Sequence, residues 1–272
     1  MQHSSIFTLV KKYGLIGLLL LLVLTGCTDL NEPINSDTEG WFNHYFVYTF
    51  SVLIKGLAHF LNDSYGLAII IITLLIRLAV MPFMLKQTRS SLEMQDKMKF
   101  IKPELDEIQK KYKGKKDKES QMKMQQETMQ LYQKHNFNPL ASMAGCLPML
   151  IQFPILIGFY YAIRKTPEIA THNFLWFNLG ETDLLLTALA VIIYFLQFRV
   201  SQIGLDPQQK KQMAMIGLIS PIMIGFVSLN APAALPLYWA VGGLFIIVQT
   251  LISKRIFLAH KRQKEREAVT EQ

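Results

Sequence analysis

Cysteine is nearly absent from this 272-residue chain, which holds only Cys27 and Cys146. One follows the first apolar run and the other opens a later one, so they do not form the framework of a disulfide-stapled domain. Acidic residues are missing from a more telling place. The apolar runs 65–85, 140–161, 184–200, 213–229 and 235–252 contain no Asp or Glu, which removes the intramembrane carboxylates that ion-coupled transporters use. No internal repeat is visible, against a transporter built from two related halves. The chain also lacks HExxH, GxSxG, a phosphate-binding loop and paired carboxylates within its apolar runs. The expectation is a protein that is not an enzyme and that needs no cofactor and no metal.

Charge is sparse as well, at 18% of residues, while 51% are apolar and the mean hydropathy is +0.24. Those values describe an all-α polytopic membrane protein. The net charge of +8 sits in blocks between apolar runs, which speaks first for topology. Nucleic-acid contact through the blocks stays open.

The run Tyr65–Leu85, YGLAIIIITLLIRLAVMPFML, carries one arginine, Arg77, far from either end. At about 1.5 Å of rise per residue it lies roughly 18 Å from Tyr65 and roughly 12 Å from Leu85. An arginine at that depth costs between about 3 and more than about 10 kcal/mol, so water, a partner or a function must compensate. With no carboxylate in the runs, water is the expected companion. Either the side chain bends on its stem to the nearer, inner interface, or it stands in a wet cavity and meets something passing through.

Residues 1–26 show Lys11 and Lys12, the apolar stretch Leu15–Leu24 and then small residues, the layout of a secretory signal. The ending Leu24-Thr25-Gly26-Cys27 resembles the bacterial lipobox, which implies cleavage before Cys27 and lipid attachment to its sulfur. The alternative is an uncleaved signal anchor. Residues 27–60 are expected outside, as an acidic linker with Asp29, Glu32, Asp37 and Glu39 followed by the aromatic-rich Trp41–Phe60. The latter suits an amphipathic helix in the interface, or an extension of the first span, 61–85.

Residues 86–135 hold 13 basic and 8 acidic residues, with Leu92, Met98, Ile101, Leu105, Ile108 and Tyr112 mostly at helical spacing. Gly114-Lys115-Lys116-Asp117 forms a turn, and Met122, Met129 and Tyr132 make a second, weaker stripe. That pattern predicts a cytoplasmic antiparallel helical hairpin, with Pro103 starting or kinking a helix in its first arm. Met94, Met98, Met122, Met124 and Met129 either fill the seam or receive varied apolar partners. The Lys blocks at 110–118 are a solvated face or a contact for anionic lipid or ribosomal RNA.

Four more spans follow: 140–161 with Pro148, Gln152 and Pro154, 184–200 with Gln197, 213–229 with Pro221, and 235–252 with Tyr238, Trp239 and Gln249. The loop 164–180 offers Phe174, Trp176 and Phe177 as outer anchors, and the tail 253–272 is basic. Five transmembrane helices result, with the N-terminus outside and the C-terminus in the cytoplasm. Arg164 and Lys165 alone fall on the unfavoured side, offset partly by Glu168.

Taken together these pieces resemble the YidC family of membrane protein insertases, relatives of the mitochondrial Oxa and chloroplast Alb proteins. The residues that carry the likeness are Tyr65-Gly66 through Ile76-Arg77 to Met81-Pro82, Asn138-Pro139-Leu140, Gly145-Cys146-Leu147-Pro148 through Pro154-Ile155, Phe174 through Gly180, and Pro232 through Trp239. The short lipoprotein-type N-terminus is similar to the Gram-positive branch. Asn178 stands where the family commonly has Asp, and Ala141–Ala144 lengthen the approach to the second span. The resemblance implies an insertase and chaperone of the bacterial cell membrane, anchored by lipid at Cys27. It implies a hydrophilic groove in which Arg77 meets the acidic tails of single-span substrates, with Gln152, Gln197 and Trp239 facing the same groove. It also implies nascent membrane proteins as substrates, and the ribosome and the Sec translocon as partners for the hairpin and tail. A small-molecule or ion transporter and a non-catalytic assembly factor are the rival readings.

Overall fold

The structure, a computed structural model, describes residues 33–38, 40–115, 117–137, 147–205 and 207–270. The signal sequence, Cys27, Asp29, Glu32, Glu39 and the approach to the second span from Asn138 to Cys146 lie outside them. A π-helical stretch, Asn43–Tyr48, runs into helix α1, Thr49–Phe60. Asn62 and Asp63 then turn the chain with φ of +54° and +60°, a left-handed conformation that these two residue types tolerate better than others with a Cβ. The 47-residue helix α2, Tyr65–Lys111, follows. At about 1.5 Å per residue it is roughly 70 Å long, more than twice a bilayer's hydrocarbon thickness of about 30 Å.

One helix therefore joins the apolar run to the first arm of the polar segment. It passes through both Pro82 and Pro103, so Pro103 does not start an arm of its own. The residue lies on the exposed side of the helix, where water can take the carbonyl that a missing N–H leaves unpaired.

Gly114, at φ +89°, begins the turn to helix α3, Lys118–Lys134. Asp117 caps it by accepting a bond from the Ser120 amide at 2.8 Å, satisfying one of the orphan donors of the first turn. The seam between α2 and α3 buries Ile101, Leu131 and Phe137, flanked by Met94, Met98, Leu105, Ile108 and Tyr132. Met122 and Met129 do not join it, being 70% and 51% exposed. The helix turns Leu131 and Tyr132 inward instead, and the methionine stripe belongs to the outer face. Glu104 accepts from Lys134 Nζ and His135 Nε2, each at 2.7 Å, and the Lys134 ammonium, ahead of His135, holds the Glu104 carboxyl below its ordinary range. At the other end Glu127 accepts from Lys111 and Tyr112, and these bonds depress its pKa too.

The remaining elements are α4, Leu147–Lys165, the short α5, Pro167–Thr171, a two-stranded ribbon of β1, Asn173–Phe174, and β2, Phe177–Asn178, then α6, Leu184–Ser201, α7, Pro207–Ser228, and α8, Ala234–Thr270. Asp183 caps α6 through the Leu186 amide at 2.6 Å. At the far end of α6, Lys254 of α8 donates to the carbonyls of Val200, Ser201 and Ile203 at 2.9, 2.9 and 2.7 Å. One ammonium thus serves carbonyls that a helix end leaves without partners.

Three helices among the described residues are long and apolar enough to cross a membrane: Tyr65–Lys111, Leu184–Ser201 and Ala234–His260, with Gly217–Ser228 of α7 shorter. Many large apolar side chains stand on the outside, among them Leu184, Ile222, Phe226 and Val248 at 69%, 69%, 71% and 56% exposure. Water would not tolerate so broad an apolar surface, and lipid does. The chain is an all-α polytopic membrane protein.

Candidate functional site

Thr73, Ile76, Arg77, Val80 and Met84 recur at spacings of three, one, three and four along α2 and share one face. That face looks across a cleft at Ile151, Gln152 and Ile155 of α4 and Tyr238 of α8. The polar groups in it are mostly answered locally. The Thr73 hydroxyl donates one turn back to the Ile69 carbonyl at 2.7 Å. Gln152 Nε2 donates to the Tyr238 hydroxyl at 2.7 Å, and the Tyr238 ring stacks on Phe159 with centroids 4.7 Å apart.

Arg77 is different. It is half-buried and makes no ion pair with a carboxylate among the described residues. Its guanidinium rests against the backbone of α8 at Gly242, where an added Cβ would stand 2.8 Å from Nη2 and 3.2 Å from Nε. It also lies near enough to the phenols of Tyr194 and Tyr238 to interact with both electrostatically. The next glycine, Gly243, seats Ile193 and Tyr194 of α6. Two adjacent residues without side chains thus let α2 and α6 approach α8 on neighbouring sides.

On the side of Tyr65 the cleft adjoins buried residues, and on the side of Met84 its lining on α2, Arg77, Val80 and Met84, is half-buried. Towards Tyr65, α2 buries Tyr65, Gly66, Ala68, Ile69, Ile72 and Thr73. Phe174 presses on Gly66, where a Cβ would stand 2.1 Å from the ring's Cγ. The loop after the ribbon is laced to the start of α8, with the Ala233 amide donating to Glu181 O at 2.7 Å and the Ala234 amide to Leu179 O at 3.1 Å. On the faces of α2 turned away from the cleft, Leu67, Leu75, Leu78 and Phe83 are exposed at 42%, 57%, 51% and 37%. The enclosed part of the cleft offers about 10 Å³ to the centres of water molecules, room for about one. As it stands, this is a narrow slot rather than a broad groove.

Of the residues singled out in the sequence, Arg77 and Gln152 are brought to one cleft. Gln197 does not line it, standing half-buried on α6. Trp239 is 7% exposed and belongs to the main core. Successive helix positions point about 100° apart, so with Tyr238 towards the cleft its neighbour turns away. The sequence reading missed Tyr238, Tyr194, Thr73 and Gly242. Gly242 could have been found, since it lies four residues after Tyr238 and small residues mark close helix approach within membranes. Among the described residues no three His, Cys, Asp or Glu side chains gather to hold a metal.

The family model described as 60Kd inner membrane protein matches residues 56–261. The chain is 51% identical over 250 residues to membrane protein insertase YidC 2 of Listeria monocytogenes serotype 4b, covering 91% of this chain and 89% of that one. It is 47% identical to membrane protein insertase YidC of Oceanobacillus iheyensis, covering 92% and 99%. Membrane protein insertase MisCB of Bacillus subtilis is 42% identical, with 96% and 97% covered.

Proposed function

The chain belongs to the YidC family of membrane protein insertases, and we propose that it inserts its substrates through the Arg77 cleft by lending a positive charge partway across the bilayer. The observation that carries this is a half-buried arginine, without a carboxylate partner among the described residues, in a narrow cleft just past the buried segment Tyr65–Thr73. In this reading the Met84 end of the cleft admits the substrate from the cytoplasm and the Tyr65 end is shut to the outside, consistent with the basic hairpin and tail.

An acidic group on a substrate tail entering from the cytoplasm can pair with Arg77, worth roughly 4 kcal/mol at about 4 Å for an effective dielectric near 20. The pairing has to be brief, because the tail must leave. Its apolar segment meanwhile parts α4 from α2 and moves sideways into lipid. A membrane potential positive outside assists each negative charge by about 2.3 kcal/mol per 100 mV. Insertion then proceeds by solvation and positioning, without covalent chemistry. Five spans, a lipid on Cys27, and reception of ribosomes, nascent chains or the Sec translocon by the hairpin and tail complete the reading.

The test is reconstitution in liposomes with a single-span substrate bearing an acidic tail, scored by protease protection. Arg77→Ala should abolish insertion and Arg77→Lys should retain most of it. If Arg77→Lys is as inactive as Arg77→Ala, the forked geometry of the guanidinium is what matters and charge alone is not enough.

A further inference from the structure

Below Arg77 the molecule holds a larger cavity that the insertion mechanism above does not use. It measures about 350 Å³ and lies between α2 and α8, lined by Leu85, Lys86, Arg89, Ser253, Ile256, Phe257 and His260. The helices touch at the level of Arg77, where Gly242 removes the side chain that would keep them apart. Further along, the stripe 253, 256, 257 and 260 of α8 faces positions 85, 86 and 89 of α2, and their side chains do not fill the space.

Its chemistry is divided. Leu85, Ile256 and Phe257 give it an apolar wall, and Lys86, Arg89 and His260 give it a basic rim, with Lys86 and His260 exposed. Arg89 Nε is 3.0 Å from Glu93 Oε1 in an exposed pair, a weak attachment that a stronger anion can replace. Lys86 makes no ion pair among the described residues. The Ser253 hydroxyl already donates to Gln249 O at 2.8 Å. The cavity sits where both helices leave their apolar runs, after Leu85 and after Ile252, which is the depth of lipid phosphates.

We propose that this cavity binds one anionic phospholipid, its phosphodiester headgroup on Lys86 and Arg89 and an acyl chain along Leu85, Ile256 and Phe257. A basic rim over an apolar wall at this depth matches an amphiphile of negative charge, and the volume lies within the ordinary range for small-ligand sites, about 300–1,000 Å³. Nothing in it depends on Arg77.

Native mass spectrometry of the whole protein, released from detergent containing phosphatidylglycerol or phosphatidylcholine, tests it. The wild type should retain phosphatidylglycerol in preference, and Lys86→Gln and Arg89→Gln should each lower that retention about fivefold. The charge-keeping Lys86→Arg should leave it intact, as should Arg77→Ala and a control pair, Lys110→Gln with Lys113→Gln, on the remote hairpin. An equal loss in the control pair would reduce the effect to general surface charge and overturn the proposal. Displacement of the lipid by inorganic phosphate alone would assign the rim to a free anion instead. Protection of a cysteine at position 257 by an acidic-tailed substrate, unaffected by phosphatidylglycerol, would place the cavity on the substrate path and equally overturn it.

Discussion

The two halves of the apolar part of α2 are built from the same few residue types, yet the first is more deeply buried than the second. From Tyr65 to Thr73 the helix is enclosed by α8, by Phe174 of the ribbon and by the core around Phe159, Ile163 and Leu179. From Leu75 onward its side chains face outward or line the cleft. Apolar composition cannot tell these fates apart, because lipid and protein interior are similar solvents for Leu and Ile. Covering elements decide the difference, and they are supplied by distant parts of the chain. Arg77 stands just past the more deeply buried segment.

The largest effect is expected at the junction of the halves. Arg77→Ala should lower insertion of an acidic-tailed substrate at least about tenfold, equal to about 1.4 kcal/mol of the roughly 4 kcal/mol of attraction available. A substrate whose tail is neutral should be affected much less, and a uniform loss on both would contradict a charge-based step.

Next comes the buried half itself. Gly66→Ala sets a methyl group 2.1 Å from Cγ of the Phe174 ring and should destabilise the protein by about 1–3 kcal/mol through overpacking. Thermal unfolding in detergent measures this, and Phe174→Leu in the same chain should recover part of the loss.

Inside the cleft, Gln152→Leu removes the donor to Tyr238 and should cost about 1 kcal/mol of stability. Gly242→Ala probes the same wall more gently. The new methyl meets the far end of a flexible side chain, so stability should hold while insertion falls about threefold, equal to about 0.65 kcal/mol.

The smallest effect lies far from the membrane. Glu104 and Glu127 are held below the ordinary carboxylate value of 4.5 by their lysine partners. A depressed carboxylate contributes stability that is full above its unfolded value and fades as pH falls through the folded one. The protection of hairpin amides relative to their intrinsic exchange rates should therefore be steady near neutral pH and fall only below about 4.5. Glu104→Gln with Glu127→Gln should flatten that dependence.

How much of this was legible beforehand follows from the same contrast. The lone arginine in an apolar run announced itself, because its cost is a property of one residue in one solvent. The turn at Gly114 and the buried Ile101 seam were legible because local spacing fixes them. The methionine stripe misled, since Met122 and Met129 share the helical period with Tyr132 yet α3 presents Leu131 and Tyr132 to its partner. Of the two roles expected of Pro103, starting a helix or kinking one, the first does not occur, because a proline on an exposed helix face can be carried within a continuous helix. Which helix faces which is absent from local pattern altogether. Local pattern therefore does not separate Trp239 from Tyr238, nor does it say that Arg77 rests on Gly242.

Single cysteines at Val80, Ile155, Ile69 and Leu235, in a Cys146→Ser background, put the difference between the halves to its most direct test with a membrane-impermeant maleimide. Labelling of positions 80 and 155 from the cytoplasmic face alone, with positions 69 and 235 silent from both faces, is the result predicted. Silence at positions 80 and 155 from the cytoplasmic face, or labelling of either from the outside, would contradict a one-sided wet site for Arg77.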